Sequence, residues 1–124
     1  FLFEHLDQYG DPKESILKCL EYALSNNPGQ GGCVLLAVDE SRISGAVVIN
    51  HTGMAGYIPE NILVYIAVDA QYRGQGVGKG LMKQIKKVTR GDIALHVEAN
   101  NPAKFLYEKE GFTNPYLEMR WNDR

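Results

Sequence analysis

The chain has 124 residues, 44% of them hydrophobic, enough for one domain with a real core and too few for two, so residues 1–124 are read as a single domain. Thirteen basic against fifteen acidic side chains leave a formal charge of −2, so no bulk positive field draws nucleic acid or an anionic membrane, and any anion has to be held locally. Cys19 and Cys33 lack CxxC or Cys/His spacing and read as buried free thiols in a reducing compartment, with no metal site indicated. The start lacks signal-peptide features and no run approaches a membrane span, so a soluble, cytoplasmic protein is expected; the opening on Phe1 rather than Met leaves room for a natural N-terminal segment.

In chain order, Phe1 to His5 read as the remnant of a first strand. Asp11-Pro12-Lys13-Glu14 offers a carboxylate at the N-cap and proline at the first helical position. Ile16, Leu20, Ala23 and Leu24 then repeat at helical spacing until Asn26-Asn27-Pro28-Gly29. Cys33–Val38 and Ile43–Asn50 are apolar, β-branched runs around Asp39–Arg42, which predicts an antiparallel hairpin. Residues 51–60 form a loop whose Met54, Tyr57 and Ile58 could border a substrate site or pack on one another. Ile62–Val68 is a buried strand. Val77, Leu81, Ile85 and Val88 make a helical stripe. Ile93–Val97 reads as a strand, Asn101-Pro102 as a helix cap and first turn, Gly111 as that helix's stop, and Tyr116–Trp121 as a last strand. The fold class is α/β: a mixed sheet with helices on both faces.

The stretch Arg73-Gly74-Gln75-Gly76-Val77-Gly78-Lys79-Gly80 lies where a buried strand hands over to a helix. Glycine lets the backbone approach a bulky anion, and a helix start offers unpaired N–H groups and the positive end of the dipole. A GxGxxG dinucleotide fingerprint would need glycine at Lys79 or Leu81. A P-loop would need glycine at Arg73 and Ser or Thr at Gly80. Both spacings fail, and four alternate glycines exceed what a tight turn requires.

The remaining pattern, R-x-x-G-x-G at Arg73, Gly76 and Gly78, resembles the acetyl-CoA pyrophosphate motif of the GNAT N-acetyltransferases. About twenty residues on, Asn100, Ala103, Tyr107 and Gly111-Phe112 are similar to that family's second motif, N-x-x-A-x-x-x-Y-x-x-x-G-F. The resemblance spans roughly residues 31 to 121. It implies a GNAT-like fold with a mostly antiparallel central sheet, and acetyl-CoA as co-substrate. It also implies main-chain amides of Arg73, Gly74, Gln75, Gly76, Val77, Gly78 and Lys79 on the pyrophosphate. Ile66, Ala67 and Val68 would pair with the pantetheine arm, Asn100 would bind that arm near Ala103, and Tyr107 would return a proton to the departing thiolate. A phenol titrating near 10 is protonated at neutral pH and suits that role; the plain alternative for Tyr107 is an aromatic core residue.

An amine acceptor must lose a proton before attacking a thioester. Many members of the family use a glutamate on or near the third strand, but Ile62–Val68 contains no carboxylate. Glu60 just before it and Glu98 after the next strand are the candidate bases. His96 shares a strand face with Glu98, and His51 could reach the cleft from the loop. The acceptor is a small-molecule or peptide amine of open identity. The missing strand carboxylate leaves a non-catalytic acyl-CoA-binding sensor or scaffold as the alternative to an enzyme, and a nucleotide- or phosphate-binding protein as a third reading. Tyr116, Met119 and Trp121 are expected on the core face of the last strand, with a homodimer edge as the other reading.

Overall fold

The computed structural model describes residues 1–123. Its sheet has the order β1-β2-β3-β4, built from Gly32–Asp39 (β1), Arg42–His51 (β2), Asn61–Val68 (β3) and Ile93–Leu95 (β4). The hairpin expected around Asp39–Arg42 is present, with Glu40 taking a positive φ of 55° at its tip. β2 pairs antiparallel with β1 and β3, and β4 joins β3 in parallel. The sheet is thus mixed and mostly antiparallel.

Helices cover both faces. Leu2–Leu6 (α1), followed by a 3-10 turn over Asp7–Tyr9, lies on β3, while Lys13–Ala23 (α2) lies on β1 and β2. Val77–Val88 (α3) and Ala103–Lys109 (α4) close the other face. The run Ala46-Val47-Val48-Ile49 on β2 serves both layers. Ala46 and Val48 enter the core under α1 and α2 with Leu2, Ile16, Cys19 and Ala23. Val47 and Ile49 enter the core under α3 with Leu81, Met82 and Ile85. A central strand buried on both sides reads as a continuous apolar run for this reason.

β3 breaks strict alternation. Val48 faces Tyr65 but Ile49 faces Leu63, so Val64 is an extra residue, a β-bulge. The bulge turns Leu63 toward α3 while Tyr65 and Ala67 face α1 and α2. Gly45 sets how closely α3 approaches: a Cβ there would stand 2.7 Å from Val77 Cγ1 and 3.0 Å from Leu81 Cδ1.

Several expected elements differ. Phe1–His5 is not a strand; Leu2 is buried against Ile16 and Ala23, and helical spacing gives it that face. α2 begins at Lys13 with Pro12 at its cap position, and Asp11 makes no capping bond, its carboxylate accepting from the Tyr65 hydroxyl at 2.5 Å instead. β4 stops at Leu95, two residues short of Val97. Val88, expected in the buried stripe of α3, is exposed, and Met82, which the stripe omitted, is fully buried. Tyr116–Trp121 forms no strand, and Tyr116, Leu117, Met119 and Trp121 are 85%, 86%, 91% and 88% exposed. These side chains are therefore not the core face of a last strand. Despite their β-favouring composition, they pair with no strand among the described residues. Cys19 and Cys33 are free, Cys19 buried and Cys33 half-buried; burial raises both thiols above the usual range.

Ile85 has no exposed surface and fills the centre of the α3-side core. Ile85→Ala should cost about 2–5 kcal/mol, the transfer and cavity terms together. Urea denaturation should show a lower midpoint with an unchanged slope.

Candidate active site

β3 and β4 pair only through Asn61↔Ile93, Ile62↔Ala94 and Leu63↔Leu95. The ladder with β4 ends at Leu63↔Leu95, and among the described residues β3 from Val64 to Val68 has β2 as its only strand neighbour. Along Ile66, Ala67 and Val68, β3 therefore borders a parting in the sheet with no second strand beside it among the described residues, and the Val68 carbonyl accepts from Arg73. The bulge at Val64 sits where the parting begins.

At the end of that edge the chain enters the glycine turn. Asp69 is buried, accepts the Gln71 N–H at 2.9 Å and meets Arg42 at 3.0 Å. The Gln71 amide and the Arg42 guanidinium together hold its carboxyl below the usual carboxylate range. Tyr72 donates to Asp39 at 3.0 Å, so the turn is roped to the hairpin tip by two contacts. Arg73 donates to the carbonyls of Val68 and His5, both at 3.3 Å. Its side chain staples the turn to the end of α1.

The four glycines divide their roles. Gly74 and Gly76 have φ of 80° and 84°, a region that L side chains enter only with strain. Gly76 caps α3, whose first closing bond runs from the Gly80 N–H to the Gly76 carbonyl at 3.0 Å. The amides of Val77, Gly78 and Lys79 ahead of that bond have no helical partner and carry the positive end of the helix dipole. Gly78 is a packing glycine: a Cβ there would stand 3.2 Å from Leu106 Cδ2 and 3.7 Å from Val68 Cγ2, so α3, α4 and β3 meet at this residue. Gly80 opens instead on a groove of about 400 Å³ with Leu35, Leu36 and Ala37, beside the edge strand β1.

Tyr107 is 8% exposed, in the α3-side core with Leu63, and its ring is tilted against Phe112 at 6.2 Å. Ala103 and Ile66 pack against the same core. Burial pushes the Tyr107 phenol up to about 12. The helix starts at Ala103 with Pro102, not Asn101, at its cap position, and Asn101 Oδ1 accepts from the Ala103 N–H at 2.9 Å. The helix is fastened at its far end by Glu110, whose carboxylate lies 3.2 Å from Lys86 and 3.8 Å from Lys83. Burial raises Glu110, but the Lys86 hydrogen bond and the charges of Lys83, Lys86 and Lys79 outweigh it and hold the group low.

The four side chains considered as bases do not converge on the parting. Glu60 lies four residues before the bulge, about 13 Å along the strand, and accepts the Asp92 N–H at 3.3 Å while lying over Gly91. His96 and Glu98 fall beyond the end of β4 and are exposed, so no strand aligns them on one face. His51 meets the buried Asn61 at 2.7 Å, at the end of the sheet away from the glycine turn. Met54, Tyr57 and Ile58 are exposed at that same end. Asn100 is exposed, and its carbonyl accepts the Tyr9 hydroxyl at 3.3 Å. The contact that sequence reasoning missed is Asp11 on Tyr65. Its only signal in the sequence was a carboxylate before Pro12, which reads equally well as a helix cap. Among the described residues no helix is long and apolar enough to cross a membrane, and no group of three or more His, Cys, Asp or Glu side chains gathers to hold a metal ion.

A mixed sheet that parts between two parallel strands, with a glycine turn and a helix start at the end of the parting, defines a GNAT-type fold. Residues 30–114 match the acetyltransferase (GNAT) domain family. The chain is 32% identical over 93 residues to the ribosomal protein bS18-alanine N-acetyltransferase of Haemophilus influenzae, a match covering 72% of this chain and 60% of that protein. A GNAT-family acetyltransferase of Streptococcus pneumoniae superposes with a TM-score of 0.73 at 19% identity, over 99% of this chain and 89% of that one. An aminoglycoside 6′-N-acetyltransferase of Acinetobacter haemolyticus gives 0.67 at 17% identity, over 93% and 83%. The chain belongs to the GNAT acetyltransferase family.

Tyr107 loses its proton near pH 10 in an unfolded chain and near 12 in the folded one. Its contribution to stability is complete below pH 10 and should fall by up to about 3 kcal/mol by pH 12. Tyr107→Phe should therefore flatten the alkaline limb of a plot of stability against pH, leaving the limb due to Tyr65, which burial and the neighbouring Asp11 also raise.

Proposed function

We propose that the protein moves an acetyl group from acetyl-CoA to the nitrogen of an amine by direct attack within a ternary complex. The observation that carries this reading is the one-sided stretch of β3, which leads into the Gly76-capped start of α3 with Tyr107 buried in the adjoining core. In this reading the amides from Arg73 to Lys79 receive the pyrophosphate. The free edge at Ile66, Ala67 and Val68 hydrogen-bonds the pantetheine amides as a strand would, and Asn100 and Ala103 border the arm. Acetyl-CoA supplies the activated acyl group. The chain holds it in line and excludes water.

Tyr107 serves as the acid that returns a proton to the sulfur. A phenol at about 12 stays protonated throughout the neutral range, so its availability does not limit turnover there. Against a free thiol near 8.5 the transfer is uphill, so it accompanies C–S cleavage, while the sulfur is gaining charge. The acceptor is a peptide or small-molecule amine. The chain spans 60% of the length of the Haemophilus influenzae relative, so that protein's alanine acceptor is one probe among several.

Acetyl-CoA at 100 times its dissociation constant should stabilise the fold by about 2.7 kcal/mol, seen as a raised melting midpoint that ATP and NAD do not reproduce. Tyr107→Phe should keep that shift and lower kcat about a hundredfold or more. A shift without Tyr107-dependent turnover transfers the protein to the acyl-CoA sensor class, and no shift at saturation removes the reading.

A further inference from the structure

The parting between β3 and β4 has two faces. α3 and α4 line one. Across the other runs the segment from α1 to α2, pinned on both banks. On the far bank the Tyr9 hydroxyl donates to the Asn100 carbonyl at 3.3 Å, beyond the end of β4. On the near bank, two residues later, Asp11 Oδ2 accepts the Tyr65 hydroxyl at 2.5 Å. Tyr65 is the residue after the bulge and two past the last paired residue, Leu63. It is buried, while Asp11 is exposed. One carboxylate oxygen is thus fixed by a rigid strand residue at the mouth of the parting, and the other accepts no hydrogen bond among the described residues. β3 lacks a carboxylate of its own, and this loop delivers one to it.

We infer that Asp11, oriented by Tyr65, receives the ammonium group of the acceptor and takes its proton. The inference rests on the acetyl-transfer reading above. The ammonium N–H gives its proton to the carboxylate, leaving a neutral amine and a carboxylic acid. The freed lone pair forms the C–N bond at the acetyl carbonyl carbon as the C–S bond breaks. The second amine proton replaces the one Tyr107 hands to sulfur, and the proton on Asp11 leaves to solvent, so the sum is amide, thiol and one released proton. Tyr65 is a positioning residue: its hydroxyl holds the carboxylate and meets no reacting atom. Substrates bearing a cation at the attacking nitrogen are favoured over neutral nucleophiles.

Two CoA thioethers of matched shape separate these ideas without a known acceptor. S-(2-aminoethyl)-CoA carries an ammonium where S-propyl-CoA carries a methyl group. Calorimetry at pH 7 should show the ammonium ligand binding the wild-type protein about tenfold more tightly, as for a hydrogen bond between ions. Asp11→Asn should abolish the preference while leaving S-propyl-CoA affinity unchanged, and Tyr65→Phe should reduce it. Asp7→Asn, which removes a nearby exposed carboxylate, should leave the preference intact. An equal preference in Asp11→Asn, a loss in Asp7→Asn as large as in Asp11→Asn, or no preference in the wild type overturns the inference. Failure of both thioethers to bind overturns the acetyl-CoA reading itself, and is recognised by the S-propyl ligand, whose affinity does not involve Asp11.

Discussion

Beyond Leu63 the third strand has a strand neighbour on one side only among the described residues. A backbone edge left open inside a fold is costly unless water, a side chain or a ligand satisfies it. The rest of the molecule is arranged around keeping that edge open yet ordered. The bulge at Val64 rotates the strand where the parting begins, and the continuous burial of β2 gives β3 a rigid partner along its other side. Sheet closure would remove the opening, and loss of β2 pairing would leave the edge without shape.

The same need explains the ties around the glycine turn. A loop rich in glycine has high conformational entropy in the unfolded chain and few side chains with which to pack. Its conformation is imposed from its roots by the Asp69–Arg42 pair, the Tyr72–Asp39 bond and the two carbonyl contacts of Arg73. The backbone between those roots stays bare, which an approaching anion requires. On the facing helix, Glu110 and Lys86 fix the end of α4 three residues past Tyr107. The arrangement therefore concentrates side-chain contacts beside the site and leaves main chain within it.

The hairpin, β3, α3 and α4 were legible because each is encoded locally: alternating or continuous apolar runs, helical stripes, and glycine or asparagine at their ends. The two motifs carried the family for the same reason. The failures are tertiary. Leu2 and Phe3 would suit a strand as well as a helix, and only the burial of Leu2 in the core with Ile16, Ala23 and Tyr65 decides between them. The run at Tyr116–Trp121 has strand composition, but composition supplies no partner. The four glycines read as one phosphate cradle, whereas Gly78 answers to Leu106 and Gly80 to the groove beside β1. Asp11 shows the limit most clearly. Its pairing with Tyr65 spans 54 residues, and no spacing rule reaches across that distance.

The segment between α1 and α2 bridges the parting with contacts that span 91 residues to Asn100 and 54 to Tyr65. Such long closures carry a loop-closure cost that grows with the length of chain they span. They also involve few groups, several of them exposed, so their rupture costs far less than unfolding of the core. This strip can therefore open transiently with the sheet and α3 undisturbed. Amide hydrogens from Asp7 to Asp11 would exchange through that local opening, on a timescale separate from the strands beneath. The fold thereby combines a stiff sheet beneath the parting with a yielding wall across one of its faces.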